Sequence, residues 1–108
     1  MITVYIASPY TAGDQAANVR AQMDAADELM TLGYCPVAPL LSHFVEIVHP
    51  RPYRDWMRVD MEILSRCDVL LRLPGESDGA DEEVEHACNI GKPVMYDISQ
   101  INMWARPF

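Results

Sequence analysis

The sequence predicts an α/β sandwich, in which a mostly parallel sheet of four to five strands lies between two layers of helices. Three observations carry this reading. Short apolar runs rich in β-branched residues alternate with longer stretches of helical period, the pattern of successive β-α-β units. Turn residues, among them Gly33 and Gly91, punctuate the alternation. Half of the 108 residues are hydrophobic, so a chain of this length can bury a core without disulfides or metals. One domain spanning residues 1–108 is expected.

Taken in order, Ile2 to Ala7 reads as a first strand, and Ser8-Pro9-Tyr10-Thr11-Ala12-Gly13-Asp14 as the loop that follows it. Residues 15–32 turn helical, with Val19, Met23, Ala26 and Met30 at alternating spacings of four and three, and Gly33 suits the position just past the helix end. Tyr34 to Pro39 gives a second strand, whose two prolines favour a sheet edge. Residues 40–49 are ambiguous; Phe44, Val45 and Val48 fit one side of a short helix, which His49-Pro50-Arg51-Pro52 breaks. Tyr53 to Arg66 is a clearer helix, with Trp56, Val59, Ile63 and Leu64 on one side, and Cys67 to Arg72 is a buried third strand. After the turn Leu73-Pro74-Gly75, an acidic helix runs from Ser77 or Asp78 to about Ile90, and Gly91-Lys92-Pro93 leads into a fourth strand, Val94 to Tyr96. The tail from Ile98 has no clear period, yet Trp104 and Phe108 make it too apolar for a free end, so packing on this subunit or a neighbour is expected. A small flavodoxin-like or Rossmann-like sandwich follows. Neither GxGxxG nor GxxxxGK[ST] occurs, so no dinucleotide or Walker-type phosphate loop is supported.

Charge narrows the function. Eight Lys and Arg stand against 16 Asp and Glu, a formal net charge of −8. Nucleic-acid polymers require a basic footprint, so they are excluded as general partners, whereas a small nucleoside or nucleotide is not. No apolar stretch approaches the roughly 20 residues of a membrane span, and Met1 leads directly into the first strand without a signal-peptide pattern. A cytoplasmic, non-membrane location is expected. Cys35, Cys67 and Cys88 lack metal-ligand spacing and read as small buried hydrophobes in a reducing compartment. His43, His49 and His86 show no metal-ligand spacing either; structural or surface roles are expected, with His86 on an exposed helix face. No metal is expected.

The chemistry concentrates in carboxylates. Ser77 or Asp78 can cap the acidic helix, and the acids in its first turns suit the helix dipole. Ala80, Val84, Ala87 and Cys88 share its apolar face, and Glu83 borders that face while Asp81, Glu82 and Glu85 point to solvent. A carboxylate at the rim of a buried face costs free energy unless it is paired or used; a cap cluster with Glu83 turned outward is the plainer alternative. Asp60 repeats the anomaly, four residues after Trp56 and four before Leu64. It either pairs with Arg58 or Arg66 or makes a helix-end contact, or it points into a pocket with Glu83, where two carboxylates in different environments divide nucleophile and acid roles. Tyr5, near the C-terminal end of the first strand, either orients a carboxylate or fills the core. Arg51, Arg54 and Arg58 form a local basic group that either solvates a helix face or meets an anionic ligand.

These residues carry a family resemblance. Val4-Tyr5-Ile6-Ala7-Ser8-Pro9-Tyr10, the Asp60…Asp68-Val69 unit, and Ser77-x-Gly79-Ala80-x-x-Glu83-Val84-x-x-Ala87 followed by Gly91-Lys92-Pro93-Val94 resemble the nucleoside 2-deoxyribosyltransferase superfamily, which includes the 2′-deoxynucleoside 5′-phosphate N-hydrolases. The likeness spans most of residues 2–96 and is closest to small phage and bacterial members. It implies cleavage or transfer at the N-glycosidic bond of a nucleoside or nucleotide, through a covalent glycosyl-enzyme on Glu83. Tyr5 would position the nucleophile, and Asp60 would contact the base and help to protonate it. Ser8, Pro9, Tyr10, Thr11 and Gly13 would contact sugar or phosphate, and Ser77, Gly79 and Arg58 would complete the substrate site. The resemblance implies no cofactor, and a homodimer or higher homo-oligomer. The chain departs from the transferase pattern at Glu85, where glycine is usual, and at Ala80, where threonine is usual. The rival reading is a non-catalytic nucleotide-binding or sensor domain on the same fold.

Overall fold

The computed structural model describes residues 1–106. Four parallel strands, β1 (Thr3–Ala7), β2 (Cys35–Val37), β3 (Val69–Arg72) and β4 (Val94–Met95), form one sheet in the order β2-β1-β3-β4. The helices are α1 (Gln15–Thr31), α2 (His43–Val48), α3 (Tyr53–Ser65), α4 (Asp78–Asn89) and α5 (Ile98–Ala105), with a 3-10 turn at Pro39–Ser42 before α2. This is the expected α/β architecture with an all-parallel, four-stranded sheet.

Alternation along β1 builds a core on each face. Val4 and Ile6 pack with Ala25 and Leu29 of α1, Val69 and Leu71 of β3, and Ile101 of α5. Tyr5 and Ala7 point the other way, against Leu64, Cys67, Leu70, Ala80 and Ala87. Each fully buried aliphatic side chain contributes about 1.5–3 kcal/mol, so the central strands anchor both helical layers. The order of strands reverses between β1 and β3, and the loops that leave their C-terminal ends, residues 8–14 and 73–77, diverge there. Ligands of open α/β sheets bind at such a divergence.

Several boundaries have local causes. Asp14 caps α1 by accepting the Ala17 N–H, and Gly33, with φ +89°, closes it. The Tyr34 N–H then bonds to the Leu29 carbonyl and the Gly33 N–H to that of Met30, a Schellman ending. The prolines of the second strand do sit at a sheet edge. The buried stripe of α1 is Gln22, Ala25 and Leu29 rather than the expected Val19-to-Met30 stripe, and Met30 is exposed. In α3, Val59 is likewise exposed and Leu64 is the fully buried residue.

α2 is inverted. Phe44, Val45, Ile47 and Val48 are all exposed, as is Leu41 in the preceding 3-10 turn, while the polar residues turn inward: His43 hydrogen-bonds Tyr10, and Glu46 accepts the Trp56 indole N–H and the Arg51 N–H. Polar contacts, not apolar burial, hold this segment to the body. The tail forms α5, which the sequence pattern did not reveal. Asp97 caps it through the Gln100 N–H, Gln100 reaches back to the Tyr96 N–H, and Ile101 enters the core. Trp104 is exposed, contrary to the expected packing, and Phe108 lies outside the described residues. Of the cysteines, Cys67 is buried and Cys35 half-buried, but Cys88 is exposed, contrary to its expected place on the apolar face of α4. His86 is half-buried, not exposed, with its Nε2 enclosed. No described helix is long and apolar enough to cross a membrane.

Candidate active site

The acidic helix opens as the sequence suggests. Ser77, in extended conformation, caps α4 through its Oγ, which accepts the Ala80 N–H at 3.1 Å. The cap fixes the phase of the helix, so Ala80, Glu83 and Ala87 form its buried face. Glu83 therefore does not turn outward; it is only 6 % exposed. Its Oε2 accepts a hydrogen bond from the hydroxyl of Tyr5, itself fully buried in β1. Cross-sheet packing brings together these residues, 78 positions apart in sequence.

Glu83 lines a cavity of about 440 Å³ at the β1/β3 divergence, within the range of small-molecule sites. The floor includes Ile6, Ser8 and Gln22. One wall is α3, whose Tyr53, Trp56, Met57 and Asp60 line the cavity along one helical stripe. Pro39, Leu40 and Ser42 form another, and Asp78, Gly79, Ala80 and Glu82 surround the opening of α4. Asp60 makes neither of the ion pairs open to it: among the described residues Arg58 pairs with Asp55 and Arg66 with Glu62. Asp60 and Glu83 thus share one cavity.

Burial dominates their acidity. Desolvation pushes the Glu83 carboxyl up to about 8; the Tyr5 hydrogen bond opposes this, nearby Asp60 adds to it, and Arg72 offsets part of it. Desolvation alone raises Asp60 to about 6. Burial, then Glu83 and Asp60, raise the Tyr5 phenol, which stays a neutral donor. Arg72, buried in β3, is held by the carbonyls of Leu73 and Gly75 and by Asp81 at 3.1 Å. It braces the turn before α4 and acts on Glu83 through its field.

Of the sequence candidates, Ser8, Tyr10, Thr11, Ser77, Gly79, Asp60 and Glu83 line the cavity, with Tyr5 behind Glu83. Pro9, Gly13 and Arg58 do not. Pro9 packs under Gly75, where an added Cβ would meet its Cγ at 2.7 Å. Gly13 serves the turn with φ +80°. The Arg58 side chain is 78 % exposed and directed to Asp55. Gln22, Tyr53 and Met57 escaped sequence reasoning. Gln22 is fully buried, donates to the Ile6 carbonyl and Ser8 Oγ, and accepts the Leu40 N–H, so it ties the first loop to the segment before α2. Gly79 leaves room for Tyr53, whose hydroxyl would lie 3.1 Å from an added Cβ. No cluster of His, Cys, Asp and Glu suited to a metal occurs among the described residues.

A family model described as "Domain of unknown function (DUF4406)" matches residues 2–96. The chain belongs to the DUF4406 family. No curated protein matches this DUF4406 chain. Among solved structures it is similar to a 2-deoxyribosyltransferase from Bacillus psychrosaccharolyticus, with 22% identity, a TM-score of 0.62, and coverage of 85% of this chain and 69% of that one. It is also similar to a 2-deoxyribosyltransferase from Leishmania mexicana, with 16% identity, a TM-score of 0.64, and coverage of 87% of this chain and 62% of that one. This DUF4406 chain thus spans less than two-thirds of the Leishmania enzyme's length, and the likeness at these identities is one of fold. The nucleoside 2-deoxyribosyltransferase-like fold is the one that the sequence resemblance implies.

Proposed function

We propose that this protein breaks the N-glycosidic bond of a nucleoside, with Glu83 as the nucleophile. The observation that carries the reading is a buried glutamate, fixed by the Tyr5 hydroxyl, which opens into a small-molecule cavity beside a second carboxylate. Such a group costs stability unless the site uses it. In the proposed reaction the Glu83 carboxylate attacks the anomeric carbon as the C–N bond breaks. The bonding pair leaves with the base, and protonated Asp60 supplies the proton. A second base or water then attacks the anomeric carbon, Glu83 departs as a carboxylate, and Asp60 recovers a proton from the incoming group. Tyr5 holds one carboxylate oxygen so that the other is presented to the sugar. The rings of Tyr10, Tyr53 and Trp56 supply apolar faces on which a base can lie.

The test is chromatography after incubation with a panel of deoxynucleosides and their 5′-monophosphates, with and without an acceptor base. Free base alone indicates hydrolysis and exchanged nucleoside indicates transfer. Either product must vanish in a folded Glu83→Gln protein. Turnover that survives the substitution removes Glu83 from the role, and binding without any turnover turns the reading into that of a binding domain.

A further inference from the structure

We propose that the cavity takes a nucleoside bearing no phosphate, and that its acidic rim discriminates against the 5′-monophosphate. This inference rests on the glycosidic reading above and names its substrate class. The sequence pointed to phosphate through Ser8, Thr11 and the group Arg51, Arg54 and Arg58; Ser8 and Thr11 line the cavity, but none of the arginines does, nor does any other Lys, Arg or His among the described residues. Arg51 and Arg58 pair with Asp55 instead. Buried Arg72 is occupied by two carbonyls and Asp81, none of them in the lining.

The ionisable groups of the lining are four carboxyls, the exposed Asp78 and Glu82 at the rim and the more buried Asp60 and Glu83, and burial holds Glu83 largely protonated. A helix N-terminus ordinarily attracts a phosphate. At α4, however, the Ser77 hydroxyl takes the Ala80 N–H, and Asp78 and Glu82 flank the opening, so the dipole already faces negative charge. A phosphate monoester carries roughly −1.5 to −2 charges at neutral pH, and nothing in the lining neutralises them. Hydroxyls and a base edge meet no such conflict, since Thr11, Ser42 and Tyr10 offer neutral partners.

The experiment compares kcat/KM for a 2′-deoxynucleoside and its 5′-monophosphate, at low and high salt, with calorimetric binding of both to the Glu83→Gln protein. The expected result is a preference of about tenfold for the nucleoside at low ionic strength, narrowing as salt screens the rim. Glu82→Gln should shrink that preference about threefold. Faster turnover of the monophosphate overturns the inference and leaves the glycosidic reading standing. Selective binding of the nucleoside without turnover supports the inference and removes the glycosidic reading. No binding of either compound overturns both.

Discussion

Glu83→Gln should stabilise this protein, and by an amount that depends on pH. In the fold the Glu83 carboxyl titrates at about 8, against an ordinary 4.5. Between those values the folded chain holds a proton that the unfolded chain has released, so stability falls as pH rises through that window and levels off above about 8. At roughly 1.4 kcal/mol per pH unit, with allowance for water in the cavity, the accumulated cost at alkaline pH is about 3–5 kcal/mol. Glutamine keeps the shape, and its carbonyl still accepts the Tyr5 hydroxyl, but it carries no charge. Urea denaturation of both proteins at about pH 4.5 and pH 9 measures the difference. Near the lower pH the gap should be small, because Glu83 is protonated in the fold and half-protonated in the unfolded chain. At the higher pH the variant should be more stable by several kcal/mol. Asp60, also raised, is common to both proteins and largely cancels. A gap that is the same at both pH values, or a variant destabilised at pH 9, would refute the claim that burial of this carboxylate governs its acidity.

Tyr5→Phe keeps the ring and removes the hydroxyl donor, so Glu83 should hold its proton to still higher pH; turnover near neutrality should fall about tenfold and recover partly on the alkaline side. A uniform loss across the pH profile would show that Tyr5 acts through packing alone. With Glu83 attacking ionised and Asp60 donating a proton, kcat/KM should be bell-shaped, with limbs near about 6 and 8. Asp60→Asn should abolish the alkaline limb, and a limb that persists would remove Asp60 as the acid. Gly75→Ala forces a side chain onto a backbone with φ +119° and into the Pro9 ring; thermal denaturation should show a loss of about 1–3 kcal/mol, and an unchanged Tm would mean that the two loops are not locked together.

What the sequence could disclose depended on whether the cause was local. The alternation of strand and helix, the Ser77 cap and the Gly33 ending each rest on a few neighbouring residues, and each is found. Glu83 and Asp60 were legible because an acid at the edge of an apolar stripe violates the helical pattern. Gln22 was not, because a polar residue one position from the assumed stripe of α1 looks solvent-facing until the Ile6 carbonyl and the Leu40 N–H are in place. Arg58 misled because periodicity cannot reveal that Asp55, one turn earlier, draws it away from the cavity. α2 was inverted for the same kind of reason: its burial is decided by Tyr10 and Trp56, which are remote in sequence. α5 is too short for its period to stand out, yet Asp97-x-x-Gln100 is a capping signature that can be read directly.

That Glu83 is largely protonated before substrate binds does not contradict the role proposed for it. The same burial that raises Glu83 also withdraws water from any charge that forms beside it. As a glycosidic bond lengthens, the sugar gains positive character, and a carboxylate in such a cavity is stabilised by that charge far more than by water. The ionised state is therefore favoured most when the reaction needs it, which is the condition for stabilising a transition state over a bound substrate. Tyr5 and Arg72 lower the cost of reaching that state without removing it: the first holds one oxygen, and the second, tied to the turn before α4, acts only through its field. On this reading the instability predicted for the free protein at alkaline pH and the reactivity proposed for the occupied site have one cause, the placement of Glu83 on the buried face of α4.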